Sequence, residues 1–159
     1  MMPVSAFGQA LLAGAAFCVA LAIVGGMLTK LTPWYHALRQ PVWKPPDWAF
    51  GPIWTIVFIC LTFAIAYAWE VASTAQREMM LWALGINGAL NITWSAIFFV
   101  MKNPTFAFVE LVIFWFSILA LIYVFGSVSR TAALLLLPYI CWVTTAGVLN
   151  FTIVRLNRA

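Results

Sequence analysis

A few polar side chains lie inside otherwise apolar runs, and they define the chemistry the chain could support. Asn87, Asn91 and Ser95 recur every fourth residue, with Trp94 beside them. That spacing puts the three on one face of a helix. Glu110 is the only acid within a long apolar run. Polar groups in such positions rarely face lipid. The triplet therefore suits either hydrogen bonds between helices or the polar wall of a cavity. Glu110 is expected either to have a buried partner or to be carried neutral. No second carboxylate, Ser-His-Asp set or metal-ligand cluster accompanies it, so hydrolysis, group transfer and metal binding are not expected. His36 is the only histidine and lies in a proline-rich segment, where a surface role is favoured over catalysis. Cys18, Cys60 and Cys141 each fall in apolar runs without CxxC spacing. They read as small packing residues, not as disulfides or ligands.

The elements that must position these groups follow from composition. Of 159 residues, 65% are hydrophobic and 8% charged, and mean hydropathy is +1.04. So few charges could not cover a water-soluble surface, whereas lipid tolerates the deficit. Apolar runs over about 6–28, 48–69, 81–100, 104–125 and 132–154 are each long enough to span a bilayer. The chain reads as a single all-α membrane bundle of five transmembrane helices. The net charge of +4 comes from scattered basic residues, which suggests no nucleic-acid patch. No basic leader precedes the first run, and that run is too long for a signal-peptide core, so it is expected to be retained. An odd helix number argues against a duplicated transporter.

Residues 29–47 differ from the other connections. They hold Pro33, Pro41, Pro45 and Pro46 together with Trp34, Tyr35 and Trp43. Proline stiffens the backbone and the aromatics suit the headgroup layer. The segment is an aromatic belt or a lid over a binding site. Lys30, Arg39, Lys44, Lys102, Arg155 and Arg158 fall at its end of a five-span bundle, and Arg77 and Arg130 at the other. This bias predicts a cytoplasmic long loop and C-terminus.

Along the first helix Ala10, Gly14, Cys18, Ala22 and Gly26 form a small-residue stripe suited to close helix approach. Gly85 and Ala89 suggest a shorter stripe for the bundle or a homodimer contact. With a rise of about 1.5 Å per residue, Trp54, Trp94, Glu110 and Ala146 each lie roughly 9–12 Å from the long-loop end, and Trp142 one turn deeper. Indoles at that depth lie below an interfacial belt. Shared walls of an apolar, sparsely polar pocket are favoured over separate packing roles, and flat conjugated ligands would suit such walls.

The stretch from Trp34 through Tyr35, Leu38, Pro41, Trp43, Pro45 and Pro46 to Trp48 carries W-Y-x-x-L-x-x-P-x-W-x-P-P-x-W. It resembles the translocator protein family, also called tryptophan-rich sensory proteins or peripheral benzodiazepine receptors. Asn91, Trp94, the run Leu137-Pro138-Tyr139, Trp142, Ala146, Leu149 and Asn150 extend the match over nearly the whole chain. The resemblance implies a five-helix bundle, commonly a homodimer, that binds porphyrins such as protoporphyrin IX, haem-like tetrapyrroles and hydrophobic drug-like molecules. It implies no required cofactor. It implies that Tyr35, Pro45, Trp54, Asn91, Trp94, Ser95, Trp142 and Ala146 line the ligand pocket; many members also carry an acid near Glu110. It further implies a possible light-dependent breakdown of porphyrin using Trp54 and Trp142. The sterol-type motif needs a Tyr between Leu or Val and a basic residue. Here Val148 and Leu149 are followed by Phe151 and Arg155, so sterol recognition is not expected.

These readings favour a membrane receptor or translocator-type protein acting in tetrapyrrole transport, sensing or regulation. A light-dependent porphyrin-degrading activity and a structural membrane protein with no saturable ligand are the alternatives. A proton-coupled exporter has only Glu110 to support it.

Overall fold

The computed structural model describes residues 5–158, and the extreme N-terminus read above for a leader falls partly outside them. The described residues form helices α1 (Ala6–Leu28), α2 (Pro33–Ala37), α3 (Phe50–Val71), α4 (Thr74–Ser95), α5 (Pro104–Gly126), α6 (Arg130–Leu135) and α7 (Leu137–Asn157). A 3-10 turn (Asp47–Ala49) leads into α3, and a π-helical turn (Ala96–Val100) extends α4. With these extensions, and with α6 and α7 counted together, five helical spans are long and apolar enough to cross a bilayer. The protein is an all-α, multi-pass integral membrane bundle.

Three helix limits differ from the hydropathy reading, each for a local reason. The third span begins at Thr74, not near 81, because Ser73 and Gln76 form a reciprocal cap: Gln76 Oε1 accepts from the Ser73 amide at 2.9 Å and Ser73 Oγ from the Gln76 amide at 3.4 Å. Arg77 then donates to the Trp69 carbonyl at 2.9 and 3.1 Å, binding the start of α4 to the end of α3. The last span is broken at Leu136 instead of running unbroken over 132–154. Pro138 has no N–H for the Leu134 carbonyl, and its ring crowds that turn. The second span gains its 3-10 turn ahead of Phe50 and runs on to Val71.

Close packing is set by small residues. A Cβ on Gly88 would come within 2.9 Å of the Phe17 ring, and one on Gly147 within 2.9 Å of Leu111. These two glycines therefore let α4 approach α1 and α7 approach α5. Gly14 meets Ile65 of α3. Gly85 and Ala89, in contrast, are exposed on the outer face of α4, with nothing near Gly85. Within this chain they hold no helix pair together.

The long connection is ordered by its own polar contacts. Tyr35 donates to Asp47 Oδ1 at 3.1 Å and accepts from Lys44 Nζ at 3.2 Å. Lys44 also pairs with Asp47. Burial raises the Tyr35 phenol above its ordinary range, against the pull of the Lys44 ammonium. Burial acts to lower Lys44, but its hydrogen bonds to Asp47 and Tyr35 prevail and hold the ammonium above its ordinary range. Arg39 and Asn157 exchange two hydrogen bonds, at 3.0 and 2.9 Å, joining the loop to the end of α7.

Candidate ligand-binding cavity

The polar stripe of α4 divides by depth. Asn87, fully buried, accepts from Tyr139 Oη at 2.9 Å and donates to Ser117 at 2.8 Å. It is a link between α4, α5 and α7. One turn nearer the long loop, Asn91 donates to the same Tyr139 oxygen at 3.3 Å, yet also borders an open cavity. Ser95, a further turn on, lines that cavity as well. Both readings of the triplet therefore hold, at different levels of one helix.

The cavity has a volume of about 340 Å³ and lies between α1, α3, α4 and α7 at the long-loop end. Trp54, Trp94 and Trp142 all border it, with Asn91, Ser95 and Ala146. Each indole is held by packing. Trp54 lies 5.3 Å from Phe58 and 6.0 Å from Tyr139, ring centre to ring centre. Trp142 meets Phe50 edge-to-face at 5.4 Å. Trp94 stacks near Phe98 at 5.5 Å and donates its N–H to Asn150 Oδ1 at 3.2 Å. Asn150 in turn donates to the Pro104 carbonyl at 2.9 Å. The Trp142 N–H is buried with no partner among the described residues.

The wall contains no Asp, Glu, Lys, Arg or His. It can hold a flat apolar body by ring stacking and offers a few neutral polar groups at one side. It supplies no acid or base for ordinary catalysis. Its volume lies near the lower end of the range for small-molecule sites, roughly 300–1,000 Å³.

Three of the residues expected at the site lie outside this wall: Tyr35, Pro45 and Glu110. Of residues 29–47, read as a belt or a lid, only Thr29 touches the cavity. Tyr35 packs instead with Ile97, Phe98, Ala107, Leu149 and Ile153, over the ends of α4, α5 and α7. Its link to the cavity is indirect. Tyr35 lies 5.8 Å from Phe99, and Phe99 meets Trp94 edge-to-face at 6.0 Å. Pro45 is half-buried in the loop. Glu110 is 6% exposed, and neither carboxyl oxygen has a partner among the described residues. His36 is exposed.

The sequence reading missed the α1 side of the wall, formed by Ala22, Gly25 and Gly26, and the aromatic residues Phe50, Phe58 and Phe99. The stripe on α1 in fact splits. Ala10, Gly14 and Cys18 are buried, while Ala22 and Gly26 stay exposed and face the cavity. The spacing of Phe99, four residues after Ser95, was the available signal.

An all-helical five-span bundle with an uncharged, tryptophan-walled cavity defines a multi-pass membrane protein with room for a small apolar molecule. Comparison gives the family. The sequence pattern of the TspO/MBR family matches residues 14–156, and the chain belongs to that family. It is similar to the tryptophan-rich protein TspO of Chlorobaculum tepidum, 40% identical over 148 residues covering 88% of this chain and 90% of the relative. It is also similar to the tryptophan-rich sensory protein of Cereibacter sphaeroides, 33% identical over 142 residues, or 89% and 87% of the two chains. The translocator protein of Bos taurus is 30% identical over 128 residues, or 79% and 75%.

Proposed function

We propose that this protein binds planar tetrapyrroles such as protoporphyrin IX, and other flat hydrophobic molecules, in the cavity walled by Trp54, Trp94 and Trp142. In this role it acts in tetrapyrrole transport, sensing or regulation. The observation that supports this is the convergence of three indoles from three helices on one uncharged void. Aromatic faces stack on a conjugated ring without needing a charge to anchor it. The neutral polar groups of Asn91 and Ser95 would orient the ring edge. A macrocycle larger than the void would leave part of its rim, with any charged substituents, at the mouth. Tyr35 and Pro45 act in this proposal by ordering the loop over the bundle, and neither they nor Glu110 touches the ligand. The long loop and C-terminus face the cytoplasm, in keeping with the basic residues at that end.

Titration of the purified protein with protoporphyrin IX, read as quenching of tryptophan fluorescence, tests the reading. Saturable quenching is expected for the wild type, and a clear loss for Trp54→Ala combined with Trp142→Ala. Equal quenching in both would remove this site.

A further inference from the structure

Ala22, Thr55 and Phe58 form a thin wall on the α1 and α3 side of the cavity, with an apolar groove on its far side. A second apolar depression of about 470 Å³ runs along the outer side of α1 and α3, and it shares Ala22, Thr55 and Phe58 with the cavity. Where the two meet, α1 carries no side chain larger than a methyl group at 22, 25 and 26. A Cβ on Gly25, Gly26 or Gly51 would meet nothing within 4 Å. Small residues therefore leave the boundary between cavity and groove thin at this level. α1 is also the least enclosed of the five spans. The loop does not cover this boundary, because its anchors lie over α4, α5 and α7.

Beyond this boundary the groove is built for hydrocarbon. Its floor and sides include Ala15, Cys18, Val19, Ile59 and Phe63. Its two hydroxyls are returned to their own helix: Thr55 donates to the Gly51 carbonyl at 2.9 Å and Thr62 to the Phe58 carbonyl at 2.8 Å. Val19 and Ile59 are more than half exposed, so the groove faces the bilayer. Its depth also fits. At about 1.5 Å per residue, Ala22 and Thr55 lie roughly 8–9 Å from the long-loop end, and Ala15 and Phe63 roughly 20 Å. In a hydrocarbon core about 30 Å thick, that span begins within one leaflet and ends just past the midplane, which is the reach of one lipid chain.

We propose that the cavity opens sideways into the bilayer between α1 and α3, and that the groove beyond the opening seats one acyl chain of a phospholipid from the leaflet at the long-loop end. Lipid tails are as apolar as the groove, so the seat holds a chain by shape and dispersion contact, not by the hydrophobic effect. This claim does not depend on what the cavity itself binds.

The test uses the full chain in phosphatidylcholine nanodiscs carrying a small fraction of phosphatidylcholine with a diazirine in one acyl chain. After illumination, labelled residues are mapped by peptide mass spectrometry. Labelling is expected to concentrate on α1 and α3. A diazirine near the carboxyl end should mark the level of Ala22 and Thr55, and one near the chain terminus the level of Ala15 and Phe63. Unlabelled lipid should compete it away. Val19→Trp, on an exposed position, should reduce groove labelling to the level of the other lipid-facing helices. It should leave protoporphyrin IX binding, followed by the porphyrin's own absorbance, unchanged, so this result and the porphyrin reading can fail separately. Labelling spread evenly around the bundle would overturn the proposal. So would a Val19→Cys variant that forms a disulfide-linked dimer in the nanodisc with the groove unlabelled, since a second copy would then fill it.

Discussion

The indole N–H of Trp94 on α4 donates to the side-chain carbonyl of Asn150 on α7 at 3.2 Å. Asn150, 1% exposed, also donates to the Pro104 carbonyl at 2.9 Å, in the first turn of α5. One amide thus fixes the plane of a cavity-lining ring and joins three helices. Asn150→Leu removes both bonds and leaves the partly buried Trp94 N–H without that acceptor. The expected cost is about 1 kcal/mol of stability, near the usual net value of such bonds in membranes and in water. Trp94 would also lose its fixed orientation. A thermal unfolding midpoint in detergent should fall, and saturation by protoporphyrin IX should shift to higher concentration. Asn150→Asp should restore less than Asn150→Gln, because a buried charge has no partner there.

The three indoles are expected to contribute separately. Aromatic pairs add about 0.5–1.5 kcal/mol beyond their buried area, so Trp54→Leu and Trp142→Leu should each weaken protoporphyrin IX binding about two- to tenfold. The double variant should show the summed loss if both faces stack on one ring. Trp115→Leu, whose N–H is tied to Thr144 on another face of the bundle at 2.8 Å, is the control and should bind as wild type. Illumination of the bound porphyrin gives a second readout: unchanged absorbance decay in Trp142→Phe would exclude that indole from any light-driven breakdown.

What the sequence made legible was depth, and what it concealed was direction. The five apolar runs stand out because nothing but lipid tolerates them, and a rise of about 1.5 Å per residue brings Trp54, Trp94, Trp142 and Ala146 to one level. The same count brought Glu110 to that level, but Glu110 is not among the residues lining the void; rise per residue fixes depth and says nothing of azimuth. Phe99 continues the Asn91 and Ser95 spacing into the π-helical turn at Ala96–Val100, so its place on the wall was legible although its apolar ring read as ordinary core. Ala22 and Gly26 read as packing because a small-residue stripe signals close approach, whereas here they stay exposed and border the cavity. The capping pair Ser73 and Gln76 was visible in the sequence and marks the true start of α4.

The loop anchor gives a prediction of its own. Tyr35, Lys44 and Asp47 form a connected set, and its loss should loosen the 38–46 segment without disturbing the spans. Asp47→Asn should speed tryptic cleavage after Arg39, with little change in the thermal midpoint. The anchor also has a pH limit. Lys44 is held above its ordinary value in the folded chain, so the stability it contributes is fully present below the ordinary lysine range, about 10.4, and is lost as pH rises through the higher folded value. Cleavage after Arg39 in the wild type should therefore stay constant from neutral pH to pH ~9 and rise only in the alkaline range. An unchanged rate in Asp47→Asn would show that the Arg39 and Asn157 bonds alone hold the segment.

Glu110 poses the clearest energetic question in the bundle. It lies on α5 between Ala107, fully enclosed, and Phe114, and its two carboxyl oxygens meet no donor among the described residues. A buried polar group without a partner costs about 1–3 kcal/mol. Replacement by an apolar residue of similar size removes that cost, so Glu110→Leu should be more stable than the wild type by that order. Glu110→Gln keeps the shape and an unpaired amide, and should gain little. Thermal unfolding of the three proteins in one detergent separates these outcomes. Because Glu110 is outside the cavity wall, protoporphyrin IX binding should be the same in all three. A Glu110→Leu protein that unfolds earlier than wild type would mean that the carboxyl does have a partner in the membrane, and a loss of binding would place that partner at the cavity.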